Sequence, residues 1–223
     1  MRFTFSIVFL IFVQIIFAQK NYNVLDFGAK PDGKTLSTNS IQSAINAANK
    51  NGGGKVIFPK GKFLSGAILL KSNVELHLEK EATLLGVTDP KYYFKINRWK
   101  ALIISEGHEN IGITGEGEID GQGRELALTI DSLFYAGKID SARYNFVEMR
   151  PKYYLRPQLI EFVKCKNIEV RDVTLKNAAC WVQTHHECEN IVIDNVRTES
   201  DACLLYTSPS PRDATLSRMP SSA

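Results

Sequence analysis

Two aspartates and a histidine pair are the first residues whose types and spacing invite a chemical reading. Hydrolysis with inversion needs one carboxyl to give a proton and another to activate water, about 6.5–9.5 Å apart. Stacked parallel strands can supply such a pair, because equivalent side chains on neighbouring rungs start about 4.8 Å apart. Asp172 and Asp194 fall near equivalent places in a 23-residue repeat but one residue out of step, so a structural role at a solvated corner is expected. His185 and His186 follow Trp181. No carboxylate or cysteine cluster at ligand spacing accompanies them, so they read as a polar turn between coils, and Trp181 as a packing residue. No residue is assigned a catalytic role, no substrate-binding residue is assigned, and no metal or cofactor is expected.

The elements that would position these residues are short strands. "CKNIEVRDVTLKN" from Cys165 and "CENIVIDNVRTES" from Cys188 align without a gap, at an offset of 23 residues. That period belongs to solenoids. At about 3.3 Å per residue one repeat spans roughly 75 Å, one turn around a three-sided prism. Cys165 is expected to stack on Cys188, Ile168 on Ile191, and Asn167 on Asn190 at a corner where asparagine tolerates unusual backbone angles. Weaker copies precede them at "SNVELHLEKEATLLG" and "ENIGITGEGEIDGQG". The expected fold is all-β, a right-handed parallel β-helix; a leucine-rich repeat would need regular leucines and a helix in every repeat. One helix is expected, with Asn39 as N-cap, Ile41, Ala44, Ile45 and Ala48 as its apolar stripe, and Gly52–Gly54 as its stop. It would cap the open end of the sheets.

Composition bounds the remaining possibilities. The chain has 223 residues, 44% of them hydrophobic, and a formal charge of +3. That is material for one domain, and too little charge to argue for nucleic acid. Arg2, an apolar run from Phe3 to Phe17, and the small residue Ala18 have the layout of a signal peptide over residues 1–18. A membrane span would need about 20 apolar residues, and Gln14 interrupts this run. Cleavage after Ala18, with a secreted or periplasmic product, is therefore expected, and no membrane association after cleavage. The four cysteines, Cys165, Cys180, Cys188 and Cys203, do not make a small disulfide scaffold and read as small buried hydrophobes.

The opening "YNVLDFGAKPDGKTLSTNSIQSAINAA", with Asp26-Phe27-Gly28-Ala29 and Asp32-Gly33 at its centre, resembles that of secreted pectin-degrading β-helix enzymes. "KVIFPKGKFLSGAILLKSNVELHLEKEATLLG", "ITGEGEIDGQG" and "RPQLIEFVKCKNIEVRDVTLKNAACWVQTHHECENIVI" follow in order. This succession is similar to glycoside hydrolase family 28, the polygalacturonases, from Asn21 to about Asp201. The resemblance implies hydrolysis of α-1,4-galacturonosyl linkages in pectin by a protein that is monomeric when complete. It also implies an Asn-x-Asp motif, then Asp-Asp, Gly-His-Gly and Arg-x-Lys. None of these motifs follows Val196 in this sequence, so the resemblance leaves the catalytic turns to be found elsewhere. A polysaccharide lyase and a non-catalytic glycan-binding β-helix are the alternatives on the same fold.

Two segments depart from the family pattern. Residues 124–156 are longer than a usual turn, and read equally as a cleft wall or as a loop packed outside the coils. Tyr144, Tyr153 and Tyr154 could stack on sugar rings there, and Arg143, Arg150 or Arg156 could meet uronate carboxylates. The tail "CLLYTSPSPRD", and "SRMPSSA" beyond Ala214-Thr215-Leu216, back-translate into strings that resemble two blocks of a transposase sequencing adapter. Residues 19–202 are thus expected to be the N-terminal part of the β-helix and 203–223 non-native, against a Ser/Pro linker as the alternative.

Overall fold

The structure is a computed structural model and describes residues 20–145 and 150–200. The expectations for the leader at 1–18, for Cys203 and for the tail at 203–223 lie outside those residues.

Three parallel sheets wind around one core. Sheet I stacks Asn21–Asn23, Gly54–Phe58, Val74–Leu78, Glu109–Thr114, Lys166–Arg171 and Glu189–Asp194. Sheet II stacks Asp32–Leu36, Gly61–Ser65, Ala82–Gly86, Glu118–Asp120, Thr174–Lys176 and Arg197–Glu199. Sheet III stacks Ile68–Leu69, Ala101–Glu106, Gln158–Val163 and Gln183–His186. Each coil visits the sheets in that order, giving the right-handed parallel β-helix that the repeat predicts.

Register explains why the repeat is aliphatic. Val56, Leu76, Ile113 and Val170 form one column of sheet I, and Phe63, Leu84, Ile119 and Leu175 one of sheet II. All eight are buried. A fully buried side chain of this kind is worth about 1.5–3 kcal/mol relative to exposure, so a one-residue slip of any strand is costly.

The corner between sheets III and I is an asparagine ladder. Asn190 donates to Asn167 at 3.0 Å, Asn167 to Asn110 at 2.8 Å and Asn110 to Asn73 at 2.8 Å. All four have φ between 53° and 61°, a left-handed conformation that asparagine accepts more readily than most residues. Cys165 and Cys188 stack beside this corner, where the Glu189 N–H donates to the Cys165 carbonyl at 2.9 Å. Asp172 stands at the next corner, where it accepts from Asn195 at 2.7 Å; the near-register of the two aspartates in the repeat thus resolves into an Asp–Asn rung.

Successive rungs of the ladder are 37, 57 and 23 residues apart. The excess over 23 lies in residues 87–100 and 121–157, and both leave the solenoid between sheets II and III. One corner of the prism therefore carries the elaborations, while the other two stay short.

Helix α1, Thr38–Lys50, buries Ile41, Ala44, Ile45 and Ala48 against the first coils. Its N-cap is Ser37 rather than Asn39, and Ser37 makes no side-chain cap bond. The Ser37 hydroxyl accepts from the Lys30 N–H at 3.0 Å and donates to the Thr35 carbonyl at 3.1 Å, so the preceding loop takes it. Thr38 and Asn39 are already helical. A second helix, α2, spans Gly123–Tyr135 inside the segment expected to be a loop. Leu126 and Ile130 bury its inner face. Gly123 lets it land close: an added Cβ would sit 2.5 Å from the Ala178 backbone. Among the described residues no helix is long and apolar enough to cross a membrane.

Candidate functional site

The corner between sheets II and III brings together residues far apart in sequence. The first insertion ends at Arg98 and Trp99, the second at Arg156, and the short third corner carries Trp181. Backbone pairing locks them in place: Gln158 N–H donates to Lys100 O at 2.9 Å, and Leu159 N–H to Trp181 O at 3.2 Å. The Trp99 and Trp181 rings lie 5.6 Å apart, tilted by 46°. The Arg98 guanidinium sits 5.3 Å from the Trp99 ring centre.

These three residues, with Gln183, Thr184 and His185, line a hollow of 570 Å³ along the edge of sheet III. His185 and His186 belong to the strand Gln183–His186, not to a turn. Gln183 and His185 take the register positions of Ile160 and Phe162 in the coil below, and Thr184 that of Glu161. Parallel pairing with Gln158–Val163 imposes this, overriding the low strand propensity of a Gln-Thr-His-His run. The His185 ring meets Phe162 edge-on at 5.6 Å, and its Nε2 lies 3.3 Å from Gln183 Oε1. Burial lowers the His185 pKa, which favours the neutral imidazole.

Glu161 anchors the backbone of Trp99. It is 1% exposed; its Oε1 accepts the Trp99 N–H at 3.0 Å, and its Oε2 has no partner among the described residues. Burial raises its pKa, the neighbouring Glu106 adds to the shift, and the Trp99 hydrogen bond opposes it. Gln158 accepts the Thr184 hydroxyl through Oε1. The arrangement offers an aromatic platform, a cation above it and neutral polar groups beside it. Those are the needs of a sugar ring bearing a carboxylate. None of the six lining residues is a carboxylate, and among the described residues no group of three His, Cys, Asp or Glu side chains could hold a metal ion.

Three expected sugar contacts are displaced. Tyr144 is buried and stacks on Phe134 at 4.2 Å, which makes it a fastener of α2. Arg156 is buried too, donating to the Ala179 carbonyl at 3.2 Å between two coils. Arg143 faces a separate, smaller cavity rather than the tryptophan hollow. Tyr154 is partly exposed, while the side chains of Arg150 and Tyr153 lie outside the described residues. Within residues 124–156, α2 packs against the coils. Trp181 is 38% exposed rather than fully packed. Sequence pattern does not single out Arg98, Trp99 or Glu161. An Arg-Trp-Lys run just before an aliphatic strand is the only local signal.

Residues 21–202 match the family model described as rhamnogalacturonase A/epimerase, pectate lyase-like. A probable polygalacturonase of Vitis vinifera is 29% identical over 192 residues, covering 78% of this chain and 36% of that protein. A Parabacteroides merdae structure, provisionally a glycosyl hydrolase, aligns with a TM-score of 0.73 at 32% identity, over 82% of this chain and 79% of the other. The family 28 exopolygalacturonase of Yersinia enterocolitica aligns with a TM-score of 0.68 at 26% identity, over 82% of this chain and 40% of the other. The chain spans about a third of the length of the curated relatives it matches first, 36% in each case.

Proposed function

The chain belongs to the rhamnogalacturonase A/epimerase, pectate lyase-like family, and from that premise we propose that it is the N-terminal part of an exported hydrolase of α-1,4-galacturonosyl linkages. Its likeness to polygalacturonases supports reading it as part of a pectin-degrading glycoside hydrolase. The observation that carries the finer reading is the paired-tryptophan hollow with Arg98 beside it, on the edge of sheet III. A carbohydrate ring stacks on such a platform, and an arginine suits a uronate carboxylate.

In this reading Gln183–His186 is the strand onto which the next coil adds, bringing the aspartate pair over the hollow. Two carboxyls on neighbouring rungs then reach the separation that inversion requires. Residues 203–223 are adapter-derived, and the 223-residue chain is inactive because it holds no Asn-x-Asp, Asp-Asp or Gly-His-Gly. Export is proposed from Arg2, the apolar run and Ala18. Sequencing unfragmented genomic DNA across the Asp201 codon tests the proposal. The expected result is an Asn-x-Asp in the coil that follows; a frame continuing into the Ser/Pro tail overturns it. The purified 223-residue chain is expected to release no reducing ends from polygalacturonate, whereas a chain completed from the genomic frame does.

A further inference from the structure

A second cavity, of 190 Å³, lies between the two insertions. Its wall has an apolar half of Pro90, Ile130, Leu133, Ile139 and Leu155, and a cationic half of Lys91, Lys100 and Arg143. The three cations are not equivalent. Asp89 neutralises Lys91 at 2.7 Å, whereas the Lys100 ammonium donates only to the Pro90 carbonyl, at 3.4 Å. Among the described residues, no carboxylate pairs with Lys100 or Arg143. Burial, followed by the charge of Arg143, lowers the Lys100 pKa. Two cations are thus held near each other against an aliphatic surface, an arrangement that an anion would relieve.

The size and the two-sided wall narrow the ligand. A volume of 190 Å³ is about six waters' share of liquid, too small for an oligosaccharide. An inorganic oxyanion would leave the aliphatic half unused. We propose that this cavity binds a small organic carboxylate of single-uronate size, its acid group between Lys100 and Arg143 and its ring carbons on Ile130, Leu133 and Leu155. The choice of a uronate rests on the pectic substrate proposed above; the carboxylate chemistry does not. Lys100 follows Trp99 directly in the chain, so this site adjoins the tryptophan hollow while remaining distinct from it.

The test titrates the 223-residue chain with galacturonate, galactose and sulfate, following binding by calorimetry and by perturbation of backbone amide signals. The expected result is saturable galacturonate binding that weakens with salt, at least tenfold weaker binding of galactose and sulfate, and signals that move around Ile130, Leu133 and Lys100. Lys100→Met and Arg143→Met should each weaken galacturonate at least tenfold and abolish the signal changes at Ile130 and Leu133, while Lys166→Ala, on the outer face of sheet I, leaves it unchanged. Lys100→Met removes a half-buried charge and keeps the side-chain length, so its fold is checked by thermal unfolding; Arg143 is exposed, and its variant is not at risk. The absence of galacturonate binding overturns the proposal, as does sulfate binding of equal strength. Galacturonate binding that survives both methionine variants also overturns it, while leaving the hydrolase reading intact.

Discussion

On the outer face of sheet I, charges on neighbouring rungs answer one another. Lys55 meets Glu75 at 3.0 Å, Lys166 meets Glu189 at 3.1 Å, and Arg171 reaches Asp194 at 3.5 Å. The asparagine ladder closes the adjoining corner. Around sheet III the polar groups are left incomplete. Gln158 Nε2, Glu161 Oε2 and His185 Nδ1 are buried and without a partner among the described residues. An unmade buried hydrogen bond costs about 1–3 kcal/mol. Sheet I spends its polar groups on register, whereas sheet III keeps groups that a ligand or a further coil can satisfy. One fold thus carries a scaffold face and a site face, and the difference lies in which side chains have already found partners.

Breaking the scaffold face should give the largest effect on stability. Asn167→Ala removes two ladder hydrogen bonds and places alanine in a left-handed conformation. An expected loss of about 2–3 kcal/mol follows, read by urea unfolding, and binding of oligogalacturonate by the folded fraction should not change. Asn167→Gly should recover part of the loss, because glycine accepts the backbone angle.

On the site face the pattern should reverse. Trp181→Ala is expected to weaken oligogalacturonate binding roughly tenfold, the scale of a lost ring stack, with little change in the unfolding midpoint. Unchanged affinity would detach the hollow from carbohydrate binding. A weaker effect is expected at Glu161. Its folded pKa lies above the unfolded value, so the native state holds the proton more tightly and stability falls as pH rises from the unfolded pKa through the folded one. Glu161→Gln removes that titration, and should raise the unfolding midpoint at pH 7 more than at pH 4. Equal shifts at both pH values would show that its carboxyl is not the cause. Lys166→Ala, at an exposed ion pair on sheet I, should change stability by less than about 0.5 kcal/mol. A larger loss would mean that surface pairs, and not the ladder, hold the register.

Much of the fold is legible in local patterns of residues. Ile41, Ala44, Ile45 and Ala48 announce α1 through their helical spacing, and Asn167 with Asn190 announces both the corner and the stacking. Leu126 and Ile130 share that helical spacing, but the N-cap of α2 is Gln122, with φ 47° and no side-chain cap bond. Its entry therefore looks like the Gly-rich loop from which it emerges. Asn39 is the natural cap by residue type; only the loop at residues 30–35 explains why Ser37 is the boundary and why its hydroxyl is engaged elsewhere.

The periodicity of the chain determined the coil, the columns of the core and the asparagine corner, since a repeat of fixed length can stack in few ways. Tertiary structure alone decided the site. Trp99 and Trp181 become neighbours because the first insertion returns to the corner at which the short third connection also turns, and nothing local encodes where a loop returns. Packing likewise turned Tyr144 and Arg156 from surface candidates into buried fasteners, because which side of α2 faces the coils depends on where Gly123 lets it rest against Ala178.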